Sequence, residues 1–208
     1  MNPAPSDPSP RAFPSDVAFT PAVKEQQRAR GSRAAYARME AGAGWRTTID
    51  VDLIAFIADQ TSCFLGTASA DGQPYIQHRG GPPGFLRVLD ERTIAFADYR
   101  GNRQYISTGN LSENPRVHLF LIDYAHRRRI KIWGTAAVVS DPAVAASLRL
   151  PGDDGPVEQA IVIRVEAWDI NCPQHIPQLV DARAVAAALA ERDARIAALE
   201  AELRALRP

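Results

Sequence analysis

The sequence predicts a mainly β protein with flanking helices: an antiparallel barrel of six or seven strands, followed by a long C-terminal helix. Three observations support this fold class. Short strand-like segments follow one another with turn signals between them and few intervening helices. Asp71-Gly72 is a strong hairpin signal and predicts a type I′ turn, with positive φ at both central residues. Neither GxGxxG nor GxxxxGK[ST] occurs, so the usual signatures of parallel nucleotide-binding sheets are missing.

The N-terminal region predicts an arm and then two helices. Residues 1–21 are rich in Pro and Ser and have little that could pack, so we expect a flexible arm. The N-terminal helices are expected within 22–59, where Gly31 interrupts the first helix and Asp50 is a plausible N-cap of the second.

The barrel is expected over residues 60–176. Its predicted strands are 62–70, 73–79, 85–89, 93–97, 116–123, 128–140 and 160–168. A helix is expected over 102–112. Another helix begins at Asp141-Pro142, because Asp is a good N-cap and Pro is favoured at the first helical position.

The C-terminal segment, 177–208, predicts one long Ala-rich helix over 181–206. Its large apolar residues fall on one stripe, at spacings of mostly three, four or seven. They are Val185, Leu189, Ile196, Leu199 and Leu203. This stripe predicts packing either on the body of the protein or on a partner helix.

The composition excludes some classes of function. Lys+Arg and Asp+Glu number 24 each, and this balance argues against a general nucleic-acid binder. Only two of the 24 basic residues are lysines, Lys24 and Lys131, and the others are arginines. An anion site would therefore be built from arginine. Cys63 and Cys172 form neither a disulfide scaffold nor a zinc site. Without an apolar run of ~20 residues or the apolar centre of a signal peptide, we expect a soluble cytoplasmic protein.

Three segments are too polar for their places beside predicted strands. They are Gln77-His78-Arg79-Gly80-Gly81, Asp98-Tyr99-Arg100-Gly101-Asn102-Arg103-Gln104 and 127–133. In the second segment a helix is expected to follow a glycine turn, so its unpaired backbone N–H groups would attract an anion. Asn102 and Arg103 would lie in the first helical turn, with Ser107 one turn later on the same face, and would hold a phosphate monoester. The alternative is a capped turn with a solvated arginine.

The other two segments leave alternatives open. Strand alternation places Arg129, Lys131 and Trp133 on one face, which is either a site that meets an anion or a solvated outer face. Trp133 would stack on an aromatic ligand or belong to the core. Gly80 and Gly81 would let a planar ligand approach the backbone, or would form a flexible loop.

Several motifs between Phe64 and Gly134 occur in a characteristic order. The strongest are Asp71-Gly72-Gln73-Pro74-Tyr75, then 94–104, and, after the predicted helix, Asn114-Pro115-Arg116-Val117 with the strand 118–121. This order resembles the FMN-binding split-barrel family that includes pyridoxamine 5′-phosphate oxidase.

The resemblance implies a homodimer with two FMN molecules at the subunit interface. It places Arg103 and Asn102 at the FMN phosphate and residues 77–80 along the isoalloxazine and ribityl groups. With the residues of the anion-site pattern, the expected cofactor-binding set is Gln77, His78, Arg79, Gly80, Asp98, Tyr99, Asn102, Arg103, Ser107, Arg129, Lys131 and Trp133. Because the site is shared, some of these residues would serve the partner's cofactor.

The region near the C-terminal end of the barrel departs from the true oxidase, in which an Arg-x-His pair grips substrate and flavin. Here the equivalent region reads WDINCPQHI, so synthesis of pyridoxal phosphate is not expected. Four of its residues would close over the flavin: Asn171, Cys172, Gln174 and His175. His78 and His175 are candidates for proton transfer or for simple hydrogen bonding, and Cys172 for a redox thiol or a pocket wall.

We therefore expect an FMN-dependent oxidoreductase that acts on an unknown small molecule, without a metal, a membrane or a nucleic acid as partner. Three alternatives remain open. In the first, the protein binds flavin for storage or redox sensing without turnover. In the second, it has lost FMN and serves as an interaction protein through its C-terminal helix. In the third, F420 or haem replaces FMN.

Overall fold

The computed structural model describes residues 11–150, 155–170 and 173–206. These residues form two compact units. The larger contains the described residues up to Ile122 and those from Arg129 to Ile170. The smaller contains Asp123–Arg128 and the described residues from Pro173 onward, including the C-terminal helix.

Seven strands form one sheet, in the order β2-β1-β5-β6-β7-β4-β3. They are β1 Ser62–Ala68, β2 Pro74–Gly80, β3 Arg87–Asp90, β4 Thr93–Tyr99, β5 Arg116–Asp123, β6 Arg128–Val139 and β7 Val157–Ile170. β1 pairs antiparallel with β2 and β5, and β7 pairs antiparallel with β6 and β4. β2 and β3 form the two edges, so the sheet is open, as in a split barrel. The predicted fold class is confirmed.

Six α-helices accompany the sheet in the described parts of the chain. They are α1 Pro21–Ala29, α2 Arg33–Ala41, α3 Val51–Ala58, α4 Ile106–Glu113, α5 Pro142–Ser147 and α6 Ala182–Ala205. The predicted break at Gly31 separates α1 from α2, and its φ of +77° suits glycine. Asp50 caps α3 as predicted, because its Oδ1 accepts the Leu53 N–H at 2.9 Å. Asp141 caps α5 in the same way, accepting the Ala143 N–H at 2.8 Å.

Strand alternation directs one face of the sheet into the core. In β1 and β5 every second residue is buried, including Cys63, Leu65, Leu119 and Leu121. Burying a large aliphatic side chain stabilises the fold by roughly 1.5–3 kcal/mol. The apolar side of α3 joins the same cluster. This packing fixes the register of the strands and thereby the positions of the polar residues at their ends.

The hairpin turn at Asp71-Gly72 differs from the predicted type. The Gly72 N–H donates to the Ser69 carbonyl oxygen at 3.0 Å. Gly72 has a φ of +92°, but Asp71 does not adopt a positive φ, so the type I′ prediction was wrong. The Ser69 hydroxyl donates to the Asp71 carboxylate and accepts the Gln73 N–H at 3.0 Å. These bonds favour a longer loop with glycine alone in the left-handed region.

The described end of the predicted flexible arm is structured. Pro14–Val17 form a 3₁₀ helix, and the hydroxyl of Ser15 donates to the buried Glu40 carboxylate at 3.0 Å. The Phe19 and Trp45 rings pack with their centroids 5.0 Å apart. The Pro/Ser-rich composition did not reveal these long-range contacts. The four-segment division of the chain itself stays a prediction.

The predicted C-terminal helix is present as α6. Asp181 caps it, because its Oδ1 accepts the Ala184 N–H at 3.0 Å. Of the helices in the residues described, none is both long and apolar enough to cross a bilayer.

Candidate functional site

The edge hairpin of β1 and β2 directs two predicted site residues toward one face of the sheet. Arg79 lies opposite Cys63, and Gln77 lies opposite Leu65. Directly opposed residues of an antiparallel pair share a face. Because Cys63 and Leu65 are buried, Gln77 and Arg79 lie on the core-facing side of an edge strand.

Strand β4 brings a buried carboxylate to Arg79. Asp98 is 8% exposed; its Oδ1 accepts a hydrogen bond from Arg79 Nη1 at 2.6 Å, and its Oδ2 accepts one from Gln159 Nε2 at 2.9 Å. The register of β4 with β7 places Asp98 opposite Gln159. Gln159 Nε2 also donates to Thr108 Oγ1 at 3.0 Å. This network joins β2, β4, β7 and α4.

Helix α4 presents an N-terminus that no described side chain caps. Tyr105 precedes the helix with a φ of +53°. The N–H groups of a first helical turn have no acceptor within the helix and carry partial positive charge. Ser107 lies in this turn, and its buried Oγ donates to Gln77 Oε1 at 2.9 Å. The N-terminus of α4 is therefore tied to the polar face of β2.

The helix predicted over 102–112 begins later, at Ile106. Asn102 Oδ1 accepts the Gln104 N–H at 3.3 Å, a local side-chain turn that competes with helix formation. Tyr105 then adopts the left-handed region, which interrupts any right-handed helix. Residues 100–105 are consequently a loop that leads into α4.

Arg103 extends from this loop, so its predicted place in a helix one turn before Ser107 was wrong. Its φ is +62°, and a non-glycine residue in this region costs of order 1–3 kcal/mol. Arg103 Nε donates to Tyr105 Oη at 3.3 Å, and this bond raises the pKa of Arg103. Tyr105 Oη in turn donates to Glu158 Oε1 at 2.9 Å. Within the described residues, neither Nη atom of Arg103 has an acceptor.

Two adjoining clefts open beside these residues. Cleft A has a volume of about 430 Å³, including space open to solvent. Seven predicted cofactor residues line it: Gln77, Arg79, Asp98, Tyr99, Asn102, Arg103 and Ser107. Cleft B has a volume of about 610 Å³ on the same basis, and its lining includes His78, Gly80, Phe85 and Phe96. Arg79, Asp98 and Tyr99 line both clefts.

The glycines at the end of β2 are explained by packing. A Cβ on Gly80 would lie 2.9 Å from the Thr61 carbonyl oxygen, and one on Gly81 would lie 2.7 Å from the Phe85 Cβ. The Gly81 N–H already donates to the Thr61 carbonyl oxygen at 3.0 Å. The expectation that these glycines admit a planar ligand is therefore not needed to account for them. Gly80 and His78 nevertheless line cleft B.

The third predicted segment lies away from both clefts. Arg129, Lys131 and Trp133 share one face of β6 and line neither cleft; β6 is three strands from β2 and two strands from β4. The Trp133 ring stacks on Trp45 at 4.5 Å, and Lys131 Nζ lies 3.7 Å from Asp169 Oδ2. Protein groups thus contact Trp133 and Lys131, for which the sequence left open either a ligand or a place on the outer face or in the core.

Two buried nitrogens on this side of the sheet have no hydrogen-bond partner among the described residues. They are Arg129 Nε and His118 Nε2. Burial lowers the pKa of His118, with a further contribution from Lys131. Burial also disfavours the charged form of Asp169 and therefore raises its pKa, although the charge of Lys131 opposes that shift. Two nitrogens without partners indicate that a further polar group would complete this surface.

The predicted lid is only partly described. Asn171 and Cys172 lie outside the described residues. Gln174 and His175 belong to the smaller unit, where His175 has a φ of +64°. Near them, Arg127 Nε donates to the Ile176 carbonyl oxygen at 3.1 Å. The role of this segment as a lid stays a prediction.

Sequence reasoning missed polar residues that the structure brings to cleft A. Tyr105, Thr108 and Glu158 line it, and Gln159 bonds Asp98 behind it. Glu158 and Gln159 enter through the pairing of β4 with β7, and no local pattern encodes a pairing between strands about 60 residues apart. The one signal in the sequence for these two residues was that Glu158 and Gln159 are a polar pair near the start of the otherwise buried strand β7.

The electrostatics of cleft A fit a phosphate. Asp98 compensates Arg79, and the Glu158 carboxylate, which also lines the cleft, lies 3.6 Å from Arg100 Nε. Arg103 adds a cation beside an uncapped helix N-terminus, although Glu158 lowers the positive potential there. Arg79 Nε is buried without a partner among the described residues, which leaves a donor for a ligand.

Burial raises the pKa of Cys63 to about 12, so this thiol is neutral and not a nucleophile. No group of metal-ligating side chains occurs in the part of the chain described.

Comparison with known proteins agrees with this reading of the fold. The family model for pyridoxamine 5′-phosphate oxidase matches residues 51–172. The tagged HupZ protein of Group A Streptococcus has a TM-score of 0.50 and 19% identity, covering 64% of this chain and 99% of that chain. A putative pyridoxamine 5′-phosphate oxidase from Lactobacillus delbrueckii has a TM-score of 0.47 and 18% identity, covering 60% and 95%. An FMN-binding protein from Syntrophomonas wolfei has a TM-score of 0.45 and 13% identity, covering 70% and 97%.

No curated protein is similar enough in sequence to count as a match. At these identities the HupZ structure supports the fold alone. The family model, in contrast, matches more than half of the chain, from α3 through β7. The matched region contains both clefts and all the predicted cofactor residues. The chain belongs to the pyridoxamine 5′-phosphate oxidase family.

Proposed function

We propose that this chain is a flavoprotein that binds FMN in cleft A and acts as an oxidoreductase on a small molecule. The observation that carries the proposal is the convergence of seven residues of the predicted cofactor set, from β2, β4, the 100–105 loop and α4, on one cleft. Family membership adds support, since the family is named for an enzyme that oxidises a phosphorylated substrate.

The phosphate of FMN would lie at the N-terminus of α4. Arg103 supplies a positive charge with both Nη atoms directed to no described acceptor, and the first-turn N–H groups supply further donors. The left-handed backbone of Arg103 and Tyr105 shapes this loop at a cost that a binding role would explain. Asn102 holds the loop through its bond to the Gln104 N–H.

Cleft B adjoins cleft A through Arg79, Asp98 and Tyr99, and an elongated ligand would pass over these shared residues to contact both. Its mixed lining, with Phe85 and Phe96 beside His78, suits a ring system with polar edges. When bound, FMN supplies hydride transfer. The chain's own residues would bind and orient it, and His78 would be available to hold or move a proton.

A homodimer accounts for the residues that lie far from the clefts. Arg129, Lys131 and Trp133 line neither cleft of their own chain. In a symmetric dimer they would meet the partner's cofactor or surface. The unpartnered Arg129 Nε and His118 Nε2 support this arrangement, because a partner subunit would provide the groups that bond them.

The absorption spectrum of the purified protein tests the cofactor. We expect flavin bands, and release of FMN on denaturation. A deazaflavin or haem spectrum would replace FMN in the proposal, and a colourless protein that does not take up added FMN would contradict it. Reduction of the bound flavin by NADH or NADPH then separates an oxidoreductase from a storage or sensing protein, for which no rapid reduction is expected.

A further inference from the structure

Helix α6, together with Leu206 just beyond its C-terminal end, carries an apolar seam that one charged residue interrupts. In heptad notation its a positions are Ala182, Leu189, Ile196 and Leu203, and its d positions are Val185, Arg192, Leu199 and Leu206. The six large apolar side chains of this seam are between 40% and 80% exposed. Apolar residues at alternating spacings of three and four are the pattern of a coiled coil.

The rest of the helix lacks large apolar side chains. The outward positions are mainly alanine, and a salt bridge of 3.8 Å between Arg204 Nη1 and Glu200 Oε2 runs along its surface. Every large apolar residue of α6 therefore belongs to the seam. Water would surround this stripe unless another helix covered it.

The charges beside the seam indicate which helix covers it. In a parallel pair, position g of one helix lies beside position e of the following heptad in the partner. Arg195 is at g and Glu200 is at e, so two such helices would form attractive Arg195–Glu200 pairs. In an antiparallel pair, e positions lie beside e positions and g beside g, so repulsive Asp193–Glu200 pairs would offset attractive Arg195–Glu202 pairs. The charges favour a second copy in parallel orientation.

We propose that the α6 helices of two copies of this chain form a parallel, in-register, two-stranded coiled coil. The two-fold axis of such a coil runs along its length, so the assembly closes at two chains. Arg192 is the one charged residue of the seam. Its long apolar stem would pack while its guanidinium reaches the edge, where Nη2 lies 3.5 Å from Asp193 Oδ1. The proposal depends neither on flavin nor on how the larger units associate.

Disulfide trapping in the full-length chain tests the geometry. V185C places a thiol at a d position, where the two Cα atoms of a parallel coil are close enough for a disulfide. A187C is the matched control on the outward face. After oxidation with copper–phenanthroline, V185C is expected to form several-fold more covalent dimer than A187C or the wild type. Equal yields would overturn the proposal, because antiparallel helices separate the two Val185 positions by about 30 Å.

Charge exchange tests the pairing. Arg195→Glu in the V185C chain places like charges together and is expected to lower the trapping yield several-fold. Adding Glu200→Arg restores the attraction and is expected to recover most of that yield. The proposal fails if the single exchange has no effect, or if the double exchange is worse than the single.

Discussion

The Arg79–Asp98 ion pair forms the wall that cleft A and cleft B share. Its side chains are only 17% and 10% exposed, so neither charge is well solvated. The pair is completed by Gln159, which donates to the second carboxylate oxygen. Removing one partner of such a pair leaves the other charge buried without compensation, which is costly even where the intact pair adds little net stability.

At this scale we expect Asp98→Ala to lower the free energy of unfolding by about 3 kcal/mol, because Arg79 then lacks its counter-charge. Glu158→Ala removes a carboxylate from the same cleft and is the control. Its contact with Arg100 is long, at 3.6 Å, and Arg100 is 56% exposed, while its other bond is the one it accepts from Tyr105 Oη, so a loss of about 1 kcal/mol is expected. Urea denaturation measures the free energy of unfolding of both variants. Equal losses in the two variants would contradict the assigned role of Asp98.

Sequence reasoning identified Arg79, Asp98 and Arg103 as site residues because polar side chains at strand ends are conspicuous. It did not identify Gln159 as the second partner of Asp98, since that contact depends on strand pairing across the sheet. It also placed Arg103 in a helix, because the Asn102 side-chain turn and a left-handed arginine cannot be recognised from residue type alone.

Among the elements, the joint between β6 and β7 is the most constrained. The register shifts between Trp133 and Gly134, and at Gly134 a Cβ would lie 2.1 Å from the Arg164 carbonyl oxygen. This atom belongs to the backbone of the neighbouring strand and cannot rotate away. The glycine therefore permits the bulge that carries β6 past β7.

We expect Gly134→Ala to destabilise the fold by about 3 kcal/mol, since the strands must separate locally to admit the methyl group. Gly109→Ala is the matched control. Gly109 lies within α4 with nothing within 4 Å of an added Cβ, so alanine is expected to stabilise by roughly 0.5–1 kcal/mol through its better helix propensity. Thermal denaturation measures the Tm of each variant. The Tm is expected to fall in Gly134→Ala and to rise in Gly109→Ala, and shifts of the same sign would contradict this explanation of Gly134.

Most strands and helices were predictable, because alternation, caps and turn residues are local signals. The caps at Asp50 and Asp141 and the break at Gly31 occur where these signals placed them. The start of α4 was not predictable, since it depends on the Asn102 side-chain turn and the left-handed Tyr105. The order within Pro14–Val17 was not predictable either, because it depends on a contact with the distant Glu40.

For the whole molecule, the sheet gathers site residues from four separate parts of the chain. β2 is an edge strand, and it meets β4 across the core-facing side through Arg79 and Asp98. The open sheet therefore leaves room for a ligand at the place where a closed barrel would continue. We propose that Arg103 and the N-terminus of α4 bind the phosphate of a flavin in this cleft.

Titration with FMN and with riboflavin, which lacks the phosphate, tests that claim most directly. Arg103→Gln removes a charge-assisted hydrogen bond worth about 1.5–3 kcal/mol, so the Kd for FMN is expected to rise roughly 10- to 100-fold. The Kd for riboflavin is expected to stay the same. Arg100→Gln, in the same loop and paired with Glu158, is the control and is expected to change neither. Unchanged FMN affinity in Arg103→Gln, or an equal loss of riboflavin affinity, would contradict the account.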